Sequence, residues 1–341
     1  MRAVVFDDYG DESVLVERNV PTPEPGPGQV RIKVSRVGVN RLDLMARTGA
    51  VGKLPLPHIS GSEVAGTVEA LGPFANVPMG QRVAVAPYLF CGQCESCLKG
   101  EENICLSSDI LGLRSQGGYA EYVVAPGSSL VPIPDTVTDS GAAAVTLSTI
   151  TAWHMLVHQV HIKPGDWVLV WAAGSGVGSA AIQIALLLGA QVIATAGSDA
   201  KLSYAMDEWG LKWGVNYRRQ DVAAAVREIT GKRGVDVVFE HLGADTMATS
   251  LKCLARMGTV VTCGTLTGTK AEVDLWSLFA KELRLVGSYG GTRDDLKAVL
   301  QMVEQGRIRP VIDSELALSE ATSAQRRMAE RGQFGKMLLC P

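Results

Sequence analysis

The segment that most constrains this chain is Trp167 to Gly178, WVLVWAAGSGVG, where an apolar strand runs into a glycine-rich turn and then into the apolar stretch SAAIQIALLLG. A continuous apolar run, small turn residues and a helix-length apolar segment predict strand, tight turn and helix in that order. The alternation continues through QVIATAG, a helix through Tyr204 to Trp209, VREIT, VDVVFE, a helix around 245–256, TVVTCG and LRLVGSY. Apolar strands alternating with helices predict a doubly wound parallel sheet covered on both faces.

Residues before about 150 have a different texture. AVVF, VRIKV, GTVEAL, RVAVA and YAEYVVA are short, Val-rich strand candidates separated by Gly and Pro, and residues 21–29 (PTPEPGPGQ) cannot be helix interior. After Tyr289 come one helical stretch, DDLKAVLQMVEQG, and a mixed tail containing GKMLL. At 341 residues the chain is long enough for about two domains. The expected division is an α/β domain over 151–287 and a β-rich domain built from 1–150 and 288–341. A formal net charge of −3 excludes a strongly basic nucleic-acid binder, and no apolar run reaches the ~20 residues needed to span a bilayer. The N-terminus reads as a strand and not as a secretion signal, so the expected compartment is the cytoplasm.

Gly174, Ser175, Gly176, Val177 and Gly178 form the turn. Glycines there let backbone N–H groups approach a pyrophosphate at the helix N-terminus. A full G-x-G-x-x-G is not present, since Ala180 and Ala181 follow, and a simple tight turn is the plainer alternative. An NAD site carries an acid at the end of the next strand to hold the ribose hydroxyls. Here that strand ends Ala194-Thr195-Ala196-Gly197-Ser198-Asp199-Ala200-Lys201. Small residues stand where the acid is expected, and Ser198 and Lys201 can hold a 2′-phosphate, so the cofactor expected is NADPH. The competing reading makes Ser198 a helix cap and Lys201 solvated surface, with Asp199 serving a ribose if the strand end is shifted.

Four of the seven cysteines crowd together as Cys91, Cys94, Cys97 and Cys105. Four thiolates at this spacing wrap a tetrahedral metal, and an all-Cys site is closed and structural. The polar insert cannot bury a core alone, so one structural zinc is the expected clip; iron at the same ligands is the alternative. Cys253, Cys263 and Cys340 read as small buried apolar residues. His154, His158 and His161 sit on a helix-like stretch and read as packing and not as a metal site.

These two features, with GVNRLD (38–43), GSEVAGTVEALGP (61–73), GGYAEYVV (117–124), TAW (151–153), VFEHLG (238–243) and FGKMLL (334–339), make the chain resemble the medium-chain dehydrogenase/reductase superfamily: zinc alcohol dehydrogenases and their quinone- and enoyl-reductase relatives. The resemblance covers essentially the whole chain. It implies a GroES-like barrel domain with a zinc lobe, a Rossmann domain, an active site between them and a homodimer or homotetramer. It also implies cofactor contacts at Thr151, Tyr217, Gly264, Ser288 and Lys336. The catalytic zinc of such dehydrogenases is held at positions that are Asn40, Ser62 and about Leu147 here, and none is a good zinc ligand. Glu63 alone makes no site, and His58 reads as a solvated loop residue.

A lost metal restricts the chemistry. Alcohol oxidation needs its alkoxide stabilised, whereas an acceptor whose product anion is delocalised does not. The expected reaction is therefore hydride transfer from NADPH to an activated C=C (an enone or enoyl thioester) or a quinone, with Asn40 stabilising oxyanion charge and Tyr88 as the proton-donor candidate. Two other readings stay open: a metal-independent alcohol or carbonyl dehydrogenase, and a non-catalytic NADPH-binding protein. The partner expected is a small-molecule substrate, with no nucleic acid and no membrane.

Overall fold

The computed structural model describes all 341 residues, Met1–Pro341. They divide into two compact units, Met1–Ile150 with Gly291–Pro341, and Thr151–Gly290. The return to the first unit comes slightly later than residue 288. Ser288 still donates its backbone N–H to the Thr262 carbonyl at 2.9 Å and so extends the sheet of the second unit.

The Thr151–Gly290 unit is built on six parallel strands in the spatial order Trp213–Asn216, Gln191–Ala196, Trp167–Val170, Val235–Glu240, Leu254–Thr262 and Arg284–Gly287. The chain starts in the middle, winds one way, crosses back and winds the other way, which places a topological switch point beside Trp167–Val170. Leu169, Ile193, Val215, Val238 and Val260 are buried, and Val222, Val226 and Leu251 from two covering helices pack on them. Two details differ from the sequence reading. The helix expected around 245–256 ends at Cys253, and the next strand begins at once at Leu254. The short strand Trp213–Asn216 (WGVN), which its Gly and few residues hid, forms one edge, with the Trp213 ring 4.6 Å from that of Trp167.

The other unit folds around a seven-stranded sheet in the order Ile312–Ala317, Lys336–Cys340, Gln29–Gly38, Glu63–Leu71, Arg82–Val85 and Leu130–Pro132, with Tyr122–Pro126 also pairing with Gln29–Gly38. Val30, Ile32, Val37, Val64, Val68, Val83 and Tyr119 are among its buried core. Val16–Asn19, Leu130–Pro132 and Ile312–Ala317 were not legible as strands, being short or interrupted by charges. Antiparallel register sets Gly38 opposite Glu63 on one side and opposite Leu338 on the other. The ends of three strands distant in sequence therefore meet, bringing Asn40, Glu63 and Lys336 to one place.

Residues 91–105 hold only a single helical turn, Glu95–Leu98, and a 3-10 turn, Glu102–Ile104. Leu98 and Leu106 face solvent, so apolar burial does not order this lobe. No helix of the chain is long and apolar enough to cross a membrane.

Candidate functional site

In the Thr151–Gly290 unit, the turn after Trp167–Val170 feeds the twelve-residue helix Gly176–Leu187. Ser175 caps this helix, its Oγ accepting the Gly178 N–H at 2.9 Å. Gly178 has no alternative: a Cβ there would lie 2.4 Å from the Ala172 carbonyl oxygen. The turn is thus packed against its own strand and leaves the helix N-terminus as an anion cradle. Gly174, Ser175, Gly176, Val177, Ser198, Tyr217, Gly264 and Ser288 all follow the C-terminal ends of the parallel strands, where an open α/β sheet binds its ligand. Thr151 lies buried on the Ser148–Trp153 helix.

Asp199 has protein partners at the surface. Its two carboxylate oxygens accept from Asn216 Nδ2 and Arg219 Nη1, each at 2.5 Å, an ion pair on the exposed face after the second strand. Ser198 does cap the next helix, its Oγ accepting the Lys201 N–H at 3.3 Å, and Lys201 is half-buried in the first turn.

The four cysteines converge as their spacing predicts. Their sulfurs all lie within 4.8 Å of one another, with Cys94–Cys97 at 3.4 Å, Cys91–Cys105 at 3.6 Å, Cys94–Cys105 at 3.8 Å and Cys91–Cys97 at 3.9 Å. A tetrahedral zinc with Zn–S near 2.3 Å needs sulfurs about 3.8 Å apart. Backbone N–H groups, that of Cys97 first, hold the Cys94 thiol down to about 6, while burial pushes Cys97 up to about 12. Four sulfurs this close become anionic together only around a cation, so the donor set fits the metal. His154 and His158 do not form a second such group: their rings stack at 5.3 Å, and His154 Nε2 is 3.2 Å from the Gln159 amide.

The positions of the expected catalytic metal hold something else. Lys336 is 5% exposed, and its ammonium lies 2.5 Å from Glu63 Oε2, 2.6 Å from Asn40 Oδ1 and 3.2 Å from the Val39 carbonyl. Glu63 Oε1 accepts the backbone N–H groups of Leu147 at 3.2 Å and Ser148 at 2.9 Å. Gly38 makes room for this carboxylate, since a Cβ there would lie 2.0 Å from Glu63 Oε2. Ser62 is fully buried beside it. One carboxylate already neutralised by an ammonium, one amide and one hydroxyl do not suit a catalytic zinc. Lys336, for which the resemblance implies a cofactor contact, here pairs with groups of the first unit.

A second buried layer supports the first. Asp43 accepts the Asn40 N–H at 2.7 Å, the Gly61 N–H at 3.1 Å and the Tyr119 hydroxyl at 3.0 Å. Burial outweighs these bonds and raises its carboxyl from 3.8 to about 6. Tyr119, also fully buried, is held well above the usual phenol range by burial and by Asp43. The Asp43 bond to Asn40 is local, whereas its bonds to Gly61 and Tyr119 join residues 18 and 76 apart, which no local pattern encodes. Tyr88 is buried on the two-residue strand Tyr88–Leu89 that precedes the cysteine lobe. His58 corrects its own expectation: it is buried and not solvated, with Nε2 2.9 Å from the Gly112 carbonyl and its ring edge-on to Phe6, so it is core packing.

A family model described as the alcohol dehydrogenase GroES-like domain matches residues 26–135, and one described as zinc-binding dehydrogenase matches residues 176–305. The chain is 32% identical to a quinone oxidoreductase of Pseudomonas aeruginosa, covering 100% of this chain and 99% of that protein. It is also 32% identical to an NAD-dependent alcohol dehydrogenase of Saccharolobus solfataricus, covering 100% of both. A solved structure of an NAD-dependent alcohol dehydrogenase superposes with a TM-score of 0.95 at 41% identity over 100% of both chains. With both of its units matched by family models and its length shared with these enzymes, the chain belongs to the medium-chain dehydrogenase/reductase superfamily and is an oxidoreductase related to the alcohol dehydrogenases.

Proposed function

We propose that the chain is an NADPH-dependent reductase that transfers hydride to an activated C=C, in an enone or enoyl thioester, or to a quinone, without a catalytic zinc. The observation that supports this reading is that Asn40, Ser62 and Leu147 stand at the positions of the metal ligands, while the neighbouring Glu63 carboxylate is already paired with Lys336. With no divalent ion to stabilise an alkoxide, the favoured acceptor is one whose product anion is delocalised by its own conjugation. A dinucleotide held by its pyrophosphate at the glycine turn would supply hydride from its reduced nicotinamide. Gly174, Ser175, Gly176 and Val177 would hold the pyrophosphate, while Thr151, Tyr217, Gly264 and Ser288 would line the cofactor site. Ser198 and Lys201 would take the 2′-phosphate, a role supported by the pairing of Asp199 with Asn216 and Arg219. Asn40 would donate a hydrogen bond to the enolate or hydroquinone oxygen as charge develops, with Tyr88 the candidate proton source. Cys91, Cys94, Cys97 and Cys105 would hold one zinc that orders the lobe and takes no part in the reaction.

The relatives named as alcohol dehydrogenases favour a second reading, a metal-independent carbonyl or alcohol dehydrogenase. The deciding experiment follows NADPH oxidation with enoyl thioesters, short enones, quinones and aldehydes. Fast aldehyde reduction with no enone, thioester or quinone activity would reject the first reading. Tight NADPH binding with no turnover would leave a non-catalytic binder. We also propose that the chain pairs with a second copy along the outer strand Arg284–Gly287, which follows in the chain the exposed side chains of Leu275, Trp276 and Phe279. Sedimentation of the wild type and of Trp276→Glu tests this, with a smaller assembly expected for the variant.

A further inference from the structure

Asn40 stands immediately before the Arg41–Arg47 helix, where an Asn side chain ordinarily accepts a hydrogen bond from the first turn. It makes no such bond. The helix start is served by Asp43, whose carboxylate accepts the Asn40 backbone N–H, and the Asn40 amide oxygen instead takes the Lys336 ammonium at 2.6 Å. We propose that Lys336 is a positioning residue that fixes which end of the Asn40 amide is offered to substrate, making Asn40 an obligate hydrogen-bond donor. This inference rests on the reductase reading given above.

An ammonium carries three donors and no acceptor, so the amide atom against it must be the oxygen. The ammonium donates hydrogen bonds to Asn40 Oδ1 and the Val39 carbonyl and is ion-paired with the Glu63 carboxylate. Glu63 is itself pinned by the Leu147 and Ser148 N–H groups, and Gly38 leaves it the space, so the lysine cannot swing away without leaving a buried carboxylate unpaired. The opposite end of the amide, Nδ2, is held only by the Gly38 carbonyl at 3.4 Å, a long contact that leaves donor capacity unspent. A full positive charge on Oδ1 also polarises the amide and strengthens its N–H as a donor. The substrate class that follows is one presenting an oxygen acceptor to Asn40, such as the thioester, ketone or quinone oxygen where reduction places negative charge. Lys336 would act through Asn40 and touch neither substrate nor cofactor.

The test uses the purified full chain. Asn40→Asp keeps an oxygen for Lys336 but removes the donor; kcat is expected to fall roughly 10²-fold, with the Kd for NADPH within about twofold of wild type. Because Lys336→Met alone strands Glu63 and can cost the fold, the working variant is Lys336→Met with Glu63→Gln, which removes both charges. It is expected to lower kcat about tenfold with little change in cofactor Kd, and Lys336→Arg, which keeps a cationic donor against Oδ1, is expected to recover most of that loss. A Kd for NADPH that rises while kcat holds would make Lys336 a cofactor ligand and overturn the proposal. A second readout needs no turnover: the side-chain NH₂ resonance pair that disappears in Asn40→Asp should shift in the Lys336→Met/Glu63→Gln protein. An unshifted pair refutes the positioning role whatever the activity. Absence of turnover in the wild type, with that shift present, would instead count against the reductase reading alone.

Discussion

Two places in this chain correspond to metal sites of the dehydrogenases it resembles, and their residues differ in what they offer an ion. In the lobe over residues 91–105, four sulfurs gather within 4.8 Å, a donor set that fits a tetrahedral cation. At Asn40, Ser62, Glu63 and Leu147, the one carboxylate is already matched by the Lys336 ammonium, so a divalent ion would have to displace a tethered charge. The difference lies in what the protein itself has done with the negative charge, and ligand count follows from it. The strongest way to break the contrast is to remove one ligand from the lobe. Cys94→Ser should drop bound zinc from about one per chain to near zero by elemental analysis and open residues 91–105 to proteolysis. Structural zinc contributes on the order of 10 kcal/mol to the ordering of small all-Cys sites, and this lobe has little else. Retention of zinc and protease resistance in that variant would sink the account.

The ion pair is sharpened by removing its members singly and together. Glu63→Gln or Lys336→Met leaves a buried charge without its partner and should cost roughly 3–5 kcal/mol in denaturant unfolding, while the double variant should cost far less. Zinc content should stay at about one per chain in all of them. Loss of half the metal from a wild type carrying two ions, on changing Glu63, would mean that this second place binds a metal after all.

How legible these places were follows from sequence distance. The cysteines lie within fifteen consecutive residues, and the glycine turn sits between a strand and a helix it joins directly, so short spacing revealed both. The Lys336–Asn40 bond spans 296 residues and depends on the antiparallel pairing of three strands, which no local pattern encodes. Asn40 was found because it stands in GVN, and Gly38 in the same motif was the clue left unread: its missing Cβ marks the space for Glu63. The tail strand Lys336–Cys340 lies in FGKMLL, from which the resemblance implies a cofactor contact at Lys336; its pairing with Asn40 and Glu63 has no local signal. The doubly wound sheet was legible almost entire, because each strand is a continuous apolar run; the Trp213–Asn216 edge, with its Gly and polar end, was the exception.

Asp43 supplies a smaller effect within the same cluster. Burial raises its carboxyl from 3.8 to about 6 against the lowering effects of the Asn40 N–H, the Tyr119 hydroxyl and the charge of Lys336, while Glu63 raises it further. The folded chain therefore holds this proton more tightly than the unfolded chain does. Its contribution to stability is full below about pH 4 and is lost as pH rises through about 6, a change of up to about 3 kcal/mol. Asp43→Asn should flatten unfolding stability across that window, whatever it does to absolute stability. An unchanged slope between pH 4 and 6 would mean that Asp43 stays charged throughout.

Burial also separates two lysines. Lys336 is buried with three acceptors around its ammonium, whereas Lys201 is half-buried in the first turn of the Asp199–Trp209 helix, next to the Ser198 cap. A 2′-phosphate there would meet a charge-assisted donor worth about 1.5–3 kcal/mol. Lys201→Ala is therefore expected to weaken NADPH binding about tenfold or more while leaving NADH within about twofold, measured as Kd by nicotinamide fluorescence. The paired Asp199 makes the converse prediction: Arg219→Ala releases its carboxylate from one partner and should shift preference toward NADH, because a free acid at this strand end accepts ribose hydroxyls and repels a phosphate. Equal weakening of both cofactors in Lys201→Ala would remove the phosphate role and return the choice of nicotinamide to Asp199.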